Sequence, residues 1–265
     1  MKFVIDHDMH IHSHLSLCSD DPTQTPESIL RYAKNNGYKH ICLTDHFWDS
    51  LVPGASNWCS MQNLAHVSEA LPLPKADGVR FDFGCEVDFT KDMKLTIARE
   101  TIDKFDFVIV ATSHLHMTGY TIDECDTSIE RRAKLYMERN HALLDMDLPF
   151  HKMGLAHFTS RLLTYYGEGS FDQLLDYITD SEYCELFERI AKCGMGLELN
   201  LNGEELTHPS SYRPYRLARE CGCKFYLGSD AHTAKHLAAA PANFATVVDA
   251  LGLTEDDKFE LVRGI

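Results

Sequence analysis

The residues whose types and spacing first suggest chemistry are His10 and His12, in Asp8-Met9-His10-Ile11-His12-Ser13. In an extended strand, side chains two apart point the same way, so both imidazoles face one side. Two neutral imidazoles on one side begin a transition-metal site. By itself the pair fits an ordinary core or surface histidine equally well. Comparable residues recur downstream: Thr44-Asp45-His46, Gly84-Cys85-Glu86, Ser113-His114, Ala156-His157 and Gly228-Ser229-Asp230-Ala231-His232. Glu86 offers a carboxylate able to bridge two ions, and Asp230 with His232 repeats the two-apart spacing. Burying these groups unpaired would be costly, and multivalent cations would offset that cost.

Each of these groups follows a short apolar run. The runs are FVI before DHDMHIH, HICLT before Asp45, VRFDFGC before Glu86, DFVIVATS before His114, MGLA before His157, GMGLEL before Asn200 and KFYLGS before Asp230. Runs of this kind read as buried strands of a parallel sheet. Helical stretches lie between them. Residues 26–36 open with Thr25 as N-cap and Pro26 in the first turn, carry Ile29, Leu30 and Ala33 on one face, and stop at Gly37. Residues 129–147 place Ile129, Ala133, Tyr136, Met137, Leu143 and Leu144 at helical spacing, and segments near 171–180, 182–193 and 212–221 read similarly. Strand–helix alternation with polar residues at the strands' carboxyl ends predicts an α/β fold. The expectation is a distorted seven-stranded (β/α) barrel of TIM-barrel type forming one domain over 1–265, with a doubly wound sheet as the alternative.

Composition narrows the function classes. A net charge of −15 over 265 residues argues against coating a long nucleic acid, although bound cations leave a small phosphorylated substrate open. The amino-terminal residues lack a signal-peptide pattern and no apolar run reaches membrane-spanning length, so no membrane partner is expected. Nine cysteines without a paired framework suit a reducing, cytoplasmic setting.

As a set, the motifs resemble the PHP family, named for polymerase and histidinol phosphatase, over residues 6–235. The resemblance implies a seven-stranded barrel with up to three metal ions at its carboxyl face. Residue by residue, it implies one ion on His10, His12, Glu86 and Asp230, and a second on Glu86, His114 and His157. A third falls on Asp20, His46 and His232. Asp20 stands where the family has an Asp or His a few residues past the His-x-His; the segment is somewhat long here, so Asp21 and Cys18 are rivals. The implied cofactors are two or three divalent ions of zinc, manganese or iron. Such ions acidify a bound water to hydroxide near neutral pH and neutralise phosphate oxygens. Of the protein groups, Asp230, His232 and Arg161 are the candidates for a catalytic part.

The implied activity is a small-molecule phosphomonoesterase, histidinol phosphate being the leading substrate by family analogy. The alternatives are a phosphodiesterase or nuclease acting on nucleotides, a noncatalytic metal-binding module, and, as an outsider, an amidohydrolase-type enzyme. Other residues have two readings each. Arg161 and Arg213 are phosphate clamps or solvated arginines. His116 is a substrate contact or an exposed loop histidine. Glu198 and Asn200 contact the site or make structural hydrogen bonds. Trp48 and Trp58 line a leaving-group pocket or pack at the barrel mouth. His7 and His14 fall off the ligand pattern, and Cys221 with Cys223 reads as ordinary thiols. Oligomeric state is not legible.

Overall fold

The computed structural model describes residues 1–164, 171–201 and 203–261. In chain order the elements are β1 (His7–Ile11), α1 (Pro26–Asn35), β2 (His40–Leu43), β3 (His46–Phe47), α2 (Asn57–Met61), α3 (Leu64–Val67), β4 (Arg80–Asp88) and β5 (Phe107–Ala111). They continue with α4 (Ile129–Leu144), β6 (Met153–Leu155), α5 (Phe171–Tyr177), α6 (Asp180–Cys193), β7 (Gly196–Leu199), α7 (Pro209–Glu220), β8 (Lys224–Leu227) and α8 (Ala234–Leu251).

The strands are all parallel, in the order β1-β2-β4-β5-β6-β7-β8, with β3 also paired to β4. β2 and β3 both lie along β4, so they are two pieces of one interrupted strand and the ring has seven positions. The ring closes between β8 and β1. Asp230 N–H donates to His10 O at 2.8 Å and His12 N–H to Ala231 O at 3.1 Å. At the other end Leu227 N–H donates to His7 Nε2 at 3.0 Å, which gives His7 a structural part.

The predicted strands and helices appear with shifted ends, and two differences stand out. The first strand is His7–Ile11 rather than the FVI run, because the closing bonds to β8 and the pairing to β2 engage the polar segment itself. α8 was not expected; it carries Pro241 inside an alanine-rich run and buries Leu237, Phe244, Val247, Val248 and Leu251 along one face. α1 starts as expected, its Thr25 hydroxyl accepting from Ser28 N–H at 3.3 Å.

Apolar burial falls into two layers. The larger one lies between the sheet and the helices and includes Ile29, Leu43, Val110, Leu155, Leu186, Leu197 and Val248. The smaller one comprises Met9, Cys42, Phe107, Ile109, Ala111, Ala156 and Tyr226, with Phe259 packed against it. Tyr226 and Phe107 meet edge to face at 5.3 Å. Gly154 makes room for the tyrosine, since a Cβ there would lie 2.5 Å from Tyr226 Oη.

At the start of β4, buried Asp82 Oδ2 accepts from His40 Nε2 at 2.9 Å and lies 2.5 Å from Arg80 Nη2 in an ion pair. Burial alone would raise this carboxyl, but His40 and Arg80 outweigh it and hold it at about 2, from an ordinary 3.8. A depressed carboxyl stabilises the fold above its unfolded pKa and loses that contribution as pH falls through the folded one. The effect amounts to about 2 kcal/mol, present above pH ~4 and fading toward pH ~2. Urea unfolding of Asp82→Asn should therefore show a flatter acid limb than wild type; parallel limbs would contradict this role.

Candidate metal centre

The polar residues meet at the carboxyl ends of the strands. Three clusters of donor atoms, each within 4.8 Å of one another, are formed by His10, His12, Glu86 and Asp230, by Glu86, His114 and His157, and by His12, His46 and His232. The first two are the expected sets. The third departs from expectation: it contains His12 in place of Asp20, which is exposed and stands outside the clusters. Asp21, its rival, uses one carboxylate oxygen to accept from Thr23 N–H (2.9 Å) and hydroxyl (2.5 Å) and the other to accept from Ala234 N–H at 2.9 Å, tying the loop to α8.

The geometry is that of imidazoles turned toward one point. His10 Nδ1 donates to Glu198 Oε1 at 2.7 Å, His12 Nδ1 to Ser16 Oγ at 2.8 Å, His114 Nδ1 to Asp88 Oδ1 at 2.6 Å, and His232 Nδ1 to Asp230 O at 2.9 Å. His157 Nδ1 pairs with Ser113 Oγ at 2.6 Å. A ring whose Nδ1 donates presents a lone pair at Nε2 when neutral. His10 Nε2 and His12 Nε2 nonetheless lie 3.0 Å apart, both fully buried. Two facing lone pairs at that distance repel unless a proton or a cation lies between them. Glu86 is the shared anion. Its Oε1 is 2.9 Å from His157 Nε2; its Oε2 is 2.9 Å from His46 Nδ1, 3.4 Å from His12 Nε2 and 3.5 Å from His10 Nε2. Oε2 is buried without a well-formed hydrogen bond. Asp230 Oδ1 sits 3.0 Å from His12 Nε2. The donor set, the orphaned oxygen and the opposed nitrogens all fit divalent cations.

Electrostatics carry the same signature. Burial opposes charge on His10, yet Glu198, Asp230 and Glu86 outweigh it and raise that histidine well above its ordinary range. Burial would raise Glu86, but His46 and His10 hold it well below the usual carboxylate range. His232 is pushed down to about 3 by burial and then by His12. His116 falls to about 4 through burial and the neighbouring His114, so its ring is neutral near pH 7.

The backbone is held in unusual shapes here. His157 has φ 26° and Asp230 φ 52°, a region L-residues rarely enter. The His157 N–H donates to Glu198 Oε2 at 2.5 Å, and the Asp230 N–H makes one of the barrel-closing bonds. Glu198 thus fixes His10 and the His157 backbone together. Gly228 leaves space for it, because a Cβ there would collide with Glu198 Oε1 and lie 2.7 Å from His10 Cβ.

Sequence reasoning missed several supporting residues. Asp88 follows Glu86 by two on β4, so period-two alternation could have revealed it. Ser16 had no signal. Buried Asp45, singled out only as part of a motif, accepts from Ser13 N–H (2.7 Å), Ser13 Oγ (2.7 Å) and Ser16 Oγ (2.8 Å), clamping the loop after β1. Arg161 is exposed on a short turn, where its backbone N–H donates to Glu205 Oε1 at 2.9 Å; the next residue, Leu162, is the one at the cavity wall. Arg213 bonds Asp180 and the carbonyls of Leu175 and Ile178, holding α7 to α5 and α6. His14 is exposed.

A cavity of about 270 Å³ opens over the clusters, walled by His46, Glu86, His114, Asp230, His232 and His116, with Trp58 at its side. No lysine or arginine lines it among the described residues. Trp48 is buried with its Nε1–H on Val52 O at 3.0 Å, whereas Trp58 is 40% exposed. A second cavity of about 460 Å³ adjoins it, sharing Asp230 and His232 and reaching Asn200, Leu201 and Phe244.

The sequence signature of the PHP domain matches residues 8–202. The chain belongs to the PHP domain family. Two solved structures share this PHP fold along nearly their whole length. Histidinol phosphate phosphatase from Lactococcus lactis, solved with zinc, L-histidinol and phosphate, superposes with a TM-score of 0.58 at 18% identity, over 96% of this chain and 98% of its own. A candidate histidinol phosphatase from Listeria monocytogenes gives 0.61 at 16% identity, over 90% and 99%. At these identities the likeness is one of fold. In sequence, a Caldicellulosiruptor saccharolyticus protein named "Probable phosphatase" is 29% identical over 105 residues, 39% of this chain and 41% of that relative's length.

Replacing a residue that orients a ligand should weaken the centre without removing a donor. Glu198→Gln keeps the shape but loses the charge that His10 Nδ1–H faces. We expect metal affinity to fall about 10–100-fold, read by competition with a chromophoric chelator. Unchanged affinity would mean Glu198 serves packing alone.

Proposed function

We propose that this PHP protein is a metal-dependent phosphatase acting on a small phosphomonoester, with histidinol phosphate the leading candidate. The observation that carries this reading is the convergence of His10, His12, His114 and His157 on buried Glu86 beneath an open cavity. Two or three divalent ions of zinc, manganese or iron would be held by His10, His12, Glu86 and Asp230, by Glu86, His114 and His157, and at the third cluster. Bound there, they would supply an acidified water and charge to meet phosphate oxygens.

The chain's own residues supply position. Glu198, Ser16, Asp88 and Ser113 lock the ring orientations, so little reorganisation accompanies binding. With no lysine or arginine on the cavity wall among the described residues, the phosphate charge falls to the ions. Asp230 and His232, at the junction of both cavities, are placed to stand beside the bound ester. That a solved protein of the same fold holds zinc, L-histidinol and phosphate supports a compact phosphomonoester. The net charge of −15 disfavours long nucleic acids, and among the described residues no helix is long and apolar enough to cross a membrane. The nine cysteines are all free, which supports a cytoplasmic setting.

The test is phosphate release from a panel of monoesters including histidinol phosphate, with bis(p-nitrophenyl) phosphate as diester control. Stripped protein would be reloaded with zinc, manganese or iron beside a His10→Ala/His12→Ala variant. Metal-dependent turnover of a monoester, lost in the variant, supports the proposal. Preference for the diester would move the assignment to nucleotide cleavage, and no turnover with tight metal binding would favour a binding module.

A further inference from the structure

The second cavity, of about 460 Å³, meets the metal centre only through the two residues it shares with the first, Asp230 and His232. One of its walls is a face of α8. His236, Ala239, Ala240, Asn243 and Phe244 stand at i, i+3, i+4, i+7 and i+8, the spacing that brings helical side chains onto one side. The two alanines in the middle of that face leave the space open. Ala240 and Phe244 are buried and, with buried Leu201 from the segment after β7, give the cavity its apolar surface.

The polar groups on the wall are of a different kind from those of the metal centre. Asn200, Ser229 and Asn243 offer uncharged hydrogen-bonding atoms, and His236 an imidazole. Among the described residues no lysine or arginine lines the cavity, and its one carboxylate, Asp230, lies 3.0 Å from His12 Nε2. The walls are anchored. Ser229 N–H donates to Asp8 Oδ1 at 2.9 Å and its hydroxyl to His10 O at 3.2 Å. Asp21 holds Ala234 N–H at 2.9 Å, and the Thr233 hydroxyl accepts from His236 N–H at 3.3 Å, which fixes the start of α8. A preformed space of this volume, with an apolar surface and a few fixed polar groups, is the form that encloses small organic ligands.

We propose that this cavity receives the leaving alcohol of the phosphomonoester, and that its occupant is a planar, uncharged ring with hydrogen-bonding atoms at its edge. The inference rests on the phosphatase reading above. With the phosphate over the metal clusters, the ester passes Asp230 and His232, and α8 reads the part of the substrate that is not phosphate. The ring's face lies against Phe244 and Leu201, and its edge meets Asn243 and Asn200. Such a ring buries apolar area and keeps its polar atoms paired. A leaving group with a second phosphate or a carboxylate would lose its water and meet no lysine or arginine.

The test compares ethyl, phenethyl and pyridylethyl phosphates on the metal-loaded full chain. The wild type should favour both ring esters over ethyl phosphate by about tenfold or more in kcat/KM, and the pyridyl ester over the phenyl. Ala239 is exposed and lines the cavity, so Ala239→Leu fills the space without disturbing the core. It should cut the ring preference about tenfold, chiefly through KM. Asn243→Ala should level the pyridyl and phenyl esters while both stay ahead of ethyl phosphate. Independently of turnover, saturation-transfer NMR with pyridylethanol should show the ring bound to wild type and not to Ala239→Leu. No ring preference in the wild type, or one unchanged in Ala239→Leu, would overturn the proposal while leaving the phosphatase reading intact. A ring signal persisting in Ala239→Leu would place the ring elsewhere and overturn it too. A pyridyl preference kept in Asn243→Ala would overturn the edge contact. No turnover of any ester would sink the phosphatase reading and the leaving-group assignment together.

Discussion

Glu86→Gln should lower phosphatase turnover by about 10³-fold or more and strip the centre of most of its ions. This one carboxylate belongs to two of the three clusters and stands 2.9 Å from an imidazole of the third. The amide keeps the volume but removes the charge, and its NH₂ donates where a cation would sit. The surrounding imidazoles favour the charged carboxylate in the wild type, so the metal-free variant should unfold at a somewhat lower temperature than metal-free wild type while still folding. Ion content by inductively coupled plasma mass spectrometry, beside Tm of both stripped proteins, separates lost metal from lost fold. Wild-type ion content, or activity above a tenth of wild type, would refute a bridging part for Glu86.

The second large effect is on stability. Arg139 on α4 is fully buried and donates to the carbonyls of Thr112 (3.0 Å), Thr121 (2.8 Å), Thr90 (3.3 Å) and Phe89. Its guanidinium also stands 5.2 Å from the Phe89 ring centroid. One side chain thereby satisfies carbonyls just past β4 and β5, the strands that bring in Glu86, Asp88 and His114. Arg139→Met retains the aliphatic stem and orphans those carbonyls. We expect a loss of about 3–5 kcal/mol, a Tm lower by roughly 10 °C or more at this chain length, and weaker metal binding in parallel. Thermal unfolding within about 2 °C of wild type would show that water replaces the guanidinium at little cost.

These two residues mark the limits of what a sequence displays. Glu86 was legible because a carboxylate ending an apolar run has no use in a packed core, and a parallel sheet delivers every such strand end to one face. The same logic found His10, His12, His46, His114, His157, Asp230 and His232, and the alternation of strand and helix gave the barrel. Arg139 was invisible. On α4 it reads as a solvated residue beside the apolar stripe of Ala133, Tyr136 and Leu143, and only the carbonyls arriving from β4 and β5 turn it inward.

Local pattern therefore determined which residue types stand at the strand ends and that they suit metal ions. It could not determine which nitrogen of each ring faces the centre, because that depends on partners distant in sequence: Glu198 is 188 residues from His10, and Ser113 is 44 from His157. Nor could it place the loop after β1. Asp20 was the expected ligand in a segment somewhat long for the family's spacing, but loop conformation is set by long-range anchors, here Asp45 on Ser13 and Ser16, His232 on Ser19 and the α8 amino terminus on Asp21. Those anchors leave both Asp20 and Cys18 exposed, with Cys18 on the cavity wall. Spacing along the chain decides what can reach a site; the hydrogen bonds of the folded barrel decide what does.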